Sequence, residues 1–398
     1  MISSSDMEVE VDVLKSTRAF ARAALLGLFL FHAGLAFPAN IVVPKMDLIT
    51  RGAMNGGAFT LQTYGDITLA VEGGYKFGGS LAFNVQNLNL EFPSLTPPTI
   101  PLGFLSASII VRDLFSAPLS LTYFVGQNDT FCSGDGFSLF GAQPIMTAYR
   151  GFMYFPTGPV YDGIYQIQGT GARIEFVPKI ESLSLDYYVY EDTRSQFPGI
   201  SPPGPPIITS PGTYASDFRF LFNSAGIKVE GFMGVDLTPS SLDYFFRGGI
   251  LFYASDRNAE FLLQLGIPKW DPSVDNVPNA NLFYLLVEPR LHLGPISMVP
   301  TFFWHPSDYM QAGPNPGEAG TFDVNLNIFY GDASKESLQA GVENNFRFPS
   351  GTQAAYKLSP WLGISTPGVL WKVKVDAKIY PLDFADLVEV FVGAQAQF

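Results

Sequence analysis

Val369-Leu-Trp-Lys-Val-Lys-Val-Asp-Ala-Lys-Ile-Tyr380 is the stretch whose reading decides the fold. Neighbouring side chains on a β-strand point to opposite faces. Val369, Trp371, Val373, Val375, Ala377 and Ile379 therefore share one face, and Lys372, Lys374, Asp376 and Lys378 share the other. Four ionisable groups on one face do not suit a dry core, because an unpaired buried charge is costly. They suit water, while the opposite face suits a core or lipid.

The same alternation recurs on both sides of this stretch. At the C-terminus, Val388, Val390, Val392, Ala394 and Ala396 alternate with Glu389, Phe391, Gly393, Gln395 and Gln397, and the chain closes on Phe398. Upstream, Leu183, Leu185, Tyr187 and Val189 oppose Ser182, Ser184 and Asp186. Phe218, Phe220 and Phe222 oppose Asp217, Arg219 and Asn223. Ile227, Val229, Met233, Val235 and Leu237 oppose Lys228, Glu230 and Asp236. Val324, Leu326, Ile328 and Tyr330 oppose Asp323, Asn325 and Asn327.

Short turn-prone breaks separate these strands at Ser224–Gly226, Ser255–Asn258, Gly331–Ser334 and Pro381–Asp383. Longer breaks lie at Phe92–Pro98, Phe197–Tyr214, Trp270–Asn281 and His305–Gly320. Short turns at one end and long loops at the other are the layout of a transmembrane barrel. The expected fold is all-β, a single antiparallel transmembrane β-barrel of about 16 strands, within a range of about 14 to 18. The barrel is expected over residues 61–398, with residues 37–60 a leader, a plug or a first strand.

Composition agrees with strands that touch lipid on one side only. The chain has 398 residues, 47% hydrophobic and 15% charged, with 36 Phe and 18 Tyr. Beyond residue 36 no uncharged apolar run reaches the roughly 20 residues a membrane helix needs. A formal net charge of −13 argues against nucleic acid as a partner. One cysteine, Cys132, excludes an intrachain disulfide, and its polar surroundings, Asn128–Gly136, read as a loop with an incidental thiol.

The N-terminus carries an export signal. Lys15, Arg18 and Arg22 precede the mostly apolar Ala23–Leu35, and Gly34 and Ala36 supply the small residues of a cleavage site. The acidic residues before Lys15 are unusual in such a leader. The signal peptide is expected to be residues 1–36.

With the Lys15–Ala36 signal, the alternating strands from about residue 60 onward and the closing alternation to Phe398, the chain resembles a Gram-negative-type outer-membrane β-barrel protein of porin-like architecture. The resemblance is architectural and names no subfamily. It implies an exported, multi-pass barrel in the outer membrane. The implied partners are outer-membrane lipid, the barrel-assembly machinery and periplasmic chaperones. Val388, Val390, Val392, Ala394, Ala396 and Phe398 are similar to the assembly signal of that class, although Ala396 stands where a larger apolar residue is common.

The leading function is a channel or transporter for passive passage of small solutes. Its lumen-lining candidates are Arg219, Lys228, Glu230, Asp236, Lys372, Lys374, Asp376, Lys378 and Glu389, since polar groups around a hole set selectivity. The Pro-rich Phe197–Tyr214 loop is a candidate for folding inward. One alternative is uptake of hydrophobic compounds, motivated by Phe232, Phe329, Phe391 and Tyr380 on the inward register, with Leu293-Gly-Pro295 as a candidate wall break. Another is a structural or adhesive barrel that displays its long loops. Enzyme chemistry is not expected: the mature chain has His292 and His305, and Ser307 and Asp308 beside His305 are neighbours in sequence only. No metal motif or cofactor is implied. Acidic loop residues such as Asp271, Asp275 and Asp332 read as solvated.

Overall fold

Period-two alternation builds almost the whole chain. The computed structural model describes residues 40–396, except 56–57, 87–89, 93–101, 148–162, 179–181, 194–211, 275, 307–319, 332–337 and 385. The strands are β1 (Asn40–Asn55), β2 (Ala58–Gly73), β3 (Phe77–Gln86), β4 (Leu90–Phe92), β5 (Leu102–Val111), β6 (Leu119–Phe131) and β7 (Tyr165–Phe176). They continue as β8 (Leu183–Asp192), β9 (Tyr214–Ser224), β10 (Ile227–Thr238), β11 (Asp243–Ser255), β12 (Ala259–Trp270) and β13 (Tyr284–Leu293). The last are β14 (Ile296–His305), β15 (Thr321–Tyr330), β16 (Leu338–Pro349), β17 (Ala355–Thr366), β18 (Val369–Tyr380) and β19 (Val388–Ala396).

Apart from the short β4, each strand pairs antiparallel with the next, β3 with β5, and β1 closes the sheet on β19 from Met46↔Ala396 to Ala53↔Glu389. Closure removes both sheet edges, so every strand has a ladder on each side. The three-residue β4 pairs with β2 beyond β3, so the two together make one interrupted wall strand. The wall therefore has 18 strands rather than 16. Part of the difference lies in residues 40–55, which form the first wall strand. Pro44 and the apolar Ile49 and Ala53, which share a face with Lys45, Asp47 and Arg51, obscure its alternation, and a register shift between Val42 and Lys45 breaks its pairing.

The two faces differ as the alternation requires. Phe218 and Phe222 of β9, Met233 and Leu237 of β10, and Trp371 and Val373 of β18 are exposed on the outside. Asp217 and Arg219, Glu230 and Asp236, and Lys374 and Asp376 on the same strands are buried inside. Outward aromatic pairs cross between strands, including Phe346–Tyr356 with ring centroids 4.4 Å apart and Phe322–Phe348 at 6.2 Å. Such pairs add about 0.5–1.5 kcal/mol beyond area burial.

One seam departs from the regular ladder. Between β13 and β14 the pairing runs to Val287↔Phe302 and resumes at Leu291↔Met298. Midway in that register Pro289 faces Pro300, and proline has no N–H to donate. A side-chain bridge lies beside the gap on the inner face, where Thr301 Oγ1 donates to Glu288 Oε2 at 2.7 Å. Glu288 also accepts from Arg290 Nε at 2.9 Å. Leu293-Gly294-Pro295, the sequence candidate for a wall break, is the tight turn between these strands; the gap in the ladder lies within the strands instead. Thr301→Val, which removes the hydroxyl but keeps the shape, is expected to cost about 1.5–3 kcal/mol, the worth of a hydrogen bond to a charged group. Thermal unfolding of the detergent-solubilised barrel checks this, and an unchanged midpoint would show that the bridge contributes nothing.

Candidate functional site: the lumen and its in-folded segment

The lumen has two dissimilar arcs. Along β6–β14 the inward side chains are large and buried. Phe124, Phe131, Ile164, Tyr165, Ile167, Tyr188, Tyr190, Leu221, Phe232, Leu251, Leu262, Tyr284, Leu286 and Phe303 form one cluster. A barrel wall alone cannot bury apolar side chains on its inner face. They are covered by the chain that leaves β6: Cys132, Phe137 and Ile145 belong to the same cluster, with Phe140 and Ala142 packed against it. Residues 132–147 thus fold into the barrel.

The turn that sends this segment inward is clamped by the wall. Cys132 takes a left-handed backbone, φ 55°, uncommon for a residue with a Cβ. Its N–H donates to Glu230 Oε1 at 2.9 Å, and its carbonyl accepts from Gln264 Nε2 at 2.6 Å. Gln264 is oriented in turn by the Tyr284 hydroxyl at 2.7 Å. Burial, reinforced by the Glu230 carboxylate, pushes the Cys132 thiol above its ordinary range, so it packs as a small apolar group. Farther along, Arg290 Nη2 donates to the Met146 carbonyl. Gly136 lies directly on Arg219: a Cβ there would sit 1.6 Å from the guanidinium Nη2.

Beneath the segment the charges are paired and mostly buried. Arg219 Nε lies 3.0 Å from Glu230 Oε1, with Asp129 at 3.6 Å and Asp186 at 3.8 Å from its Nη1. Arg247 lies 2.7 Å from Asp217 and 2.6 Å from Asp236, and its guanidinium carbon stands 4.0 Å from the Tyr165 ring centroid. Phe131 stacks on Phe232 at 4.8 Å. These pairs tie neighbouring wall strands together, and Glu230 links them to the segment through the Cys132 N–H.

The second arc, β15–β19 with β1 and β2, carries more open charge. Lys357 pairs with Asp376 at 2.7 Å, Arg347 with Asp323 at 3.0 Å and Lys45 with Asp66 at 2.8 Å. Lys378 lies 3.0 Å from Glu389, whose other partner is Arg51 at 2.5 Å. Lys372 lies 3.4 Å from Glu343 and stands over the Trp361 ring at 4.4 Å. On β3 and β5 the inner Ser80 and Ser108 share a hydrogen bond of 2.7 Å.

The nine lumen candidates therefore separate. Arg219 and Glu230 meet the in-folded segment at Gly136 and Cys132, and Asp236 is buried beside Arg247. Lys372, Lys374, Asp376, Lys378 and Glu389 lie together on the second arc. Lys228 stands over the Tyr253 ring at 5.3 Å, apart from both groups. Of the assembly-signal residues, Val388 and Val392 are exposed outside, Val390 and Ala394 are half-buried, and Ala396 is buried between β1 and β18. Phe398, the 1–36 signal and most of the Phe197–Tyr214 and His305–Gly320 loops lie outside the described residues.

Cys132, read from sequence as an incidental loop thiol, is instead buried at the root of the in-folded segment. Tyr380, read as facing inward, is about half exposed at the end of β18. Pro381–Asp383, read as a short turn, joins β18 to β19 at the end that also carries the long connections. His305 is buried, with Nδ1 on the Pro306 carbonyl and its ring 4.6 Å from Phe303, while Ser307 and Asp308 lie outside the described residues. His292 Nδ1 lies 2.9 Å from Ser297 Oγ and its Nε2 3.6 Å from Glu260, whose carboxylate is engaged by Arg290.

Two signals in the sequence mark the in-folded segment. Residues 137–146 are uncharged and rich in Phe, Leu, Ile and Met, unlike a surface loop. Phe261-Leu-Leu-Gln-Leu and Tyr284-Leu-Leu-Val are nearly continuous apolar runs, the mark of strands covered on both faces.

A closed antiparallel barrel with an apolar exterior, a charged interior and a segment folded into its lumen is the class these features define. No protein-family model and no curated protein matches the chain. Among solved structures it is similar to Acinetobacter baumannii OccAB3, at 10% identity and TM-score 0.49 over 90% of this chain and 99% of that one. It is also similar to a mutant of the Rh. blastica porin, at 11% identity and TM-score 0.47 over 91% and 100%. A third is OprB of Pseudomonas putida, at 9% identity and TM-score 0.42 over 90% and 92%. At this distance the functional reading rests on the residues of the chain itself.

Proposed function

We propose that the protein is an outer-membrane channel for passive passage of small polar solutes. The observation that carries this reading is the division of the wall, apolar outward, with its ion pairs on the inner face, buried along β6–β14 and more open along β15–β19, β1 and β2. A continuous exposed apolar band of this extent marks a surface that meets lipid. A lumen lined by paired charges, short serines and an in-folded segment suits hydrated solutes of limited size. The aromatic residues that suggested a hydrophobic route are committed elsewhere: Phe232 stacks under the in-folded segment, and Phe329 packs on Trp361 with ring centroids 5.9 Å apart. Refolded protein in a planar bilayer is expected to give discrete conductance steps, and proteoliposomes are expected to swell in small sugars or amino acids. A correctly refolded barrel that passes neither ions nor solutes would overturn the reading.

A further inference from the structure

The ion pairs of the second arc are unequal in exposure, and the inequality has one sign at three of its levels. The Lys45 side chain is 45% exposed against 10% for Asp66, Arg347 is 40% against 0% for Asp323, and Lys357 is 34% against 2% for Asp376. In each pair the carboxylate lies against the wall and the cationic head stands in the lumen. Arg51 stands out over Glu389 in the same sense. A pair of this kind has no net charge, but its dipole points its positive end at the axis. An ion in the lumen meets the cation first.

Among the described ion pairs, the other charges do not cancel this field. Arg219 and Arg247 are buried with Glu230, Asp186, Asp217 and Asp236, Arg219 lying directly against Gly136 of the in-folded segment. Within residues 132–147 the only charged side chain is Asp135, which accepts from the Ser133 hydroxyl at 3.2 Å. Among the described residues, acids more open than a basic partner occur at Asp129 beside Arg173 and Arg219, at Glu260 beside Arg290, at Glu343 beside Lys374 and at Asp236 beside Arg247, each less exposed than the three leading cations. At the β18–β19 connection Lys378 and Asp386 are both open, which makes that level neutral.

We infer that the channel prefers anions, although the chain as a whole carries a formal charge of −13. The inference rests on the channel reading above and names its solute class: small inorganic anions and compact carboxylates or phosphates. Lumen-facing cations raise the local concentration of anions and lower that of cations. The effect is screened over a Debye length of about 10 Å at 0.1 M salt and about 3 Å at 1 M. Preference therefore weakens as salt rises.

The test is the reversal potential of the full barrel in a planar bilayer under a KCl gradient. Chloride is expected to permeate roughly threefold better than potassium at low salt, a difference close to one RT of field energy, with the ratio falling toward unity in concentrated salt. The double change Lys357→Gln with Asp376→Asn removes one dipole without leaving a buried carboxylate unpaired, and it is expected to reduce the preference. Lys357→Arg is expected to keep it. If the double variant does not fold, Lys45→Gln, at the more open level, is read in its place. A conducting pore that prefers potassium, or whose preference is indifferent to these changes, overturns this inference and leaves the channel reading standing. Absence of conductance overturns the channel reading itself, and this inference with it.

Discussion

Arg219→Ala is expected to destabilise the barrel by about 3–5 kcal/mol, the cost of stripping the partner from a buried ion pair. Glu230 is fully buried and Asp186 nearly so, and both depend on the Arg219 guanidinium for compensation. Glu230 also holds the Cys132 N–H, so the loss is expected to reach the turn that sends the segment inward. Heat-modifiability on a detergent gel, or the urea midpoint in lipid, measures the change. Arg219→Lys keeps the charge but not the forked geometry, and is expected to fall between the two. Adding Glu230→Gln to Arg219→Ala should recover part of the loss, because the uncompensated carboxylate is then gone. An unchanged midpoint in the single variant would mean that this pair is solvated in the lumen.

The second large effect is expected at Gly136. A side chain there meets Arg219 Nη2, and Arg219 cannot swing away without breaking its pairs with Glu230, Asp129 and Asp186. Gly136→Val therefore should prevent the segment from seating. Overpacking of this kind costs about 1–3 kcal/mol where it is absorbed locally. Here local relief would break the Arg219 pairs, so the segment is expected to be displaced at Gly136, while barrel closure depends on the β1–β19 ladder and not on the segment. The barrel should still form, with raised single-channel conductance and a larger size limit in liposome swelling. Wild-type conductance in a folded Gly136→Val protein would show that the segment does not restrict the lumen.

Much of the fold is legible in the chain because a strand repeats every two residues. Val369–Tyr380 states its two faces without help from any other segment, and the structure places Trp371 outside and Lys374 inside as that reading requires. Residues 40–55 do not state their faces in this way. Pro44 and Lys45 break the local pattern, and what makes them a strand is pairing with β2 and β19, the latter more than three hundred residues away. The Pro289–Pro300 gap is similarly invisible in one dimension. Each proline is ordinary in its own strand, and only the register of β13 on β14 sets them opposite one another.

The sequence by itself determined a membrane-type barrel and which side chains of each regular strand face inward, because alternation is a local property. It did not determine what the inward residues meet. Arg219 and Lys357 look alike in sequence, each a cation on the polar face of an alternating strand. Tertiary structure buries Arg219 beneath Gly136 and leaves Lys357 open beside a buried Asp376. That distinction depends on where residues 132–147 come to rest inside the closed barrel, and their position is fixed by contacts with β9–β13 that no local pattern encodes.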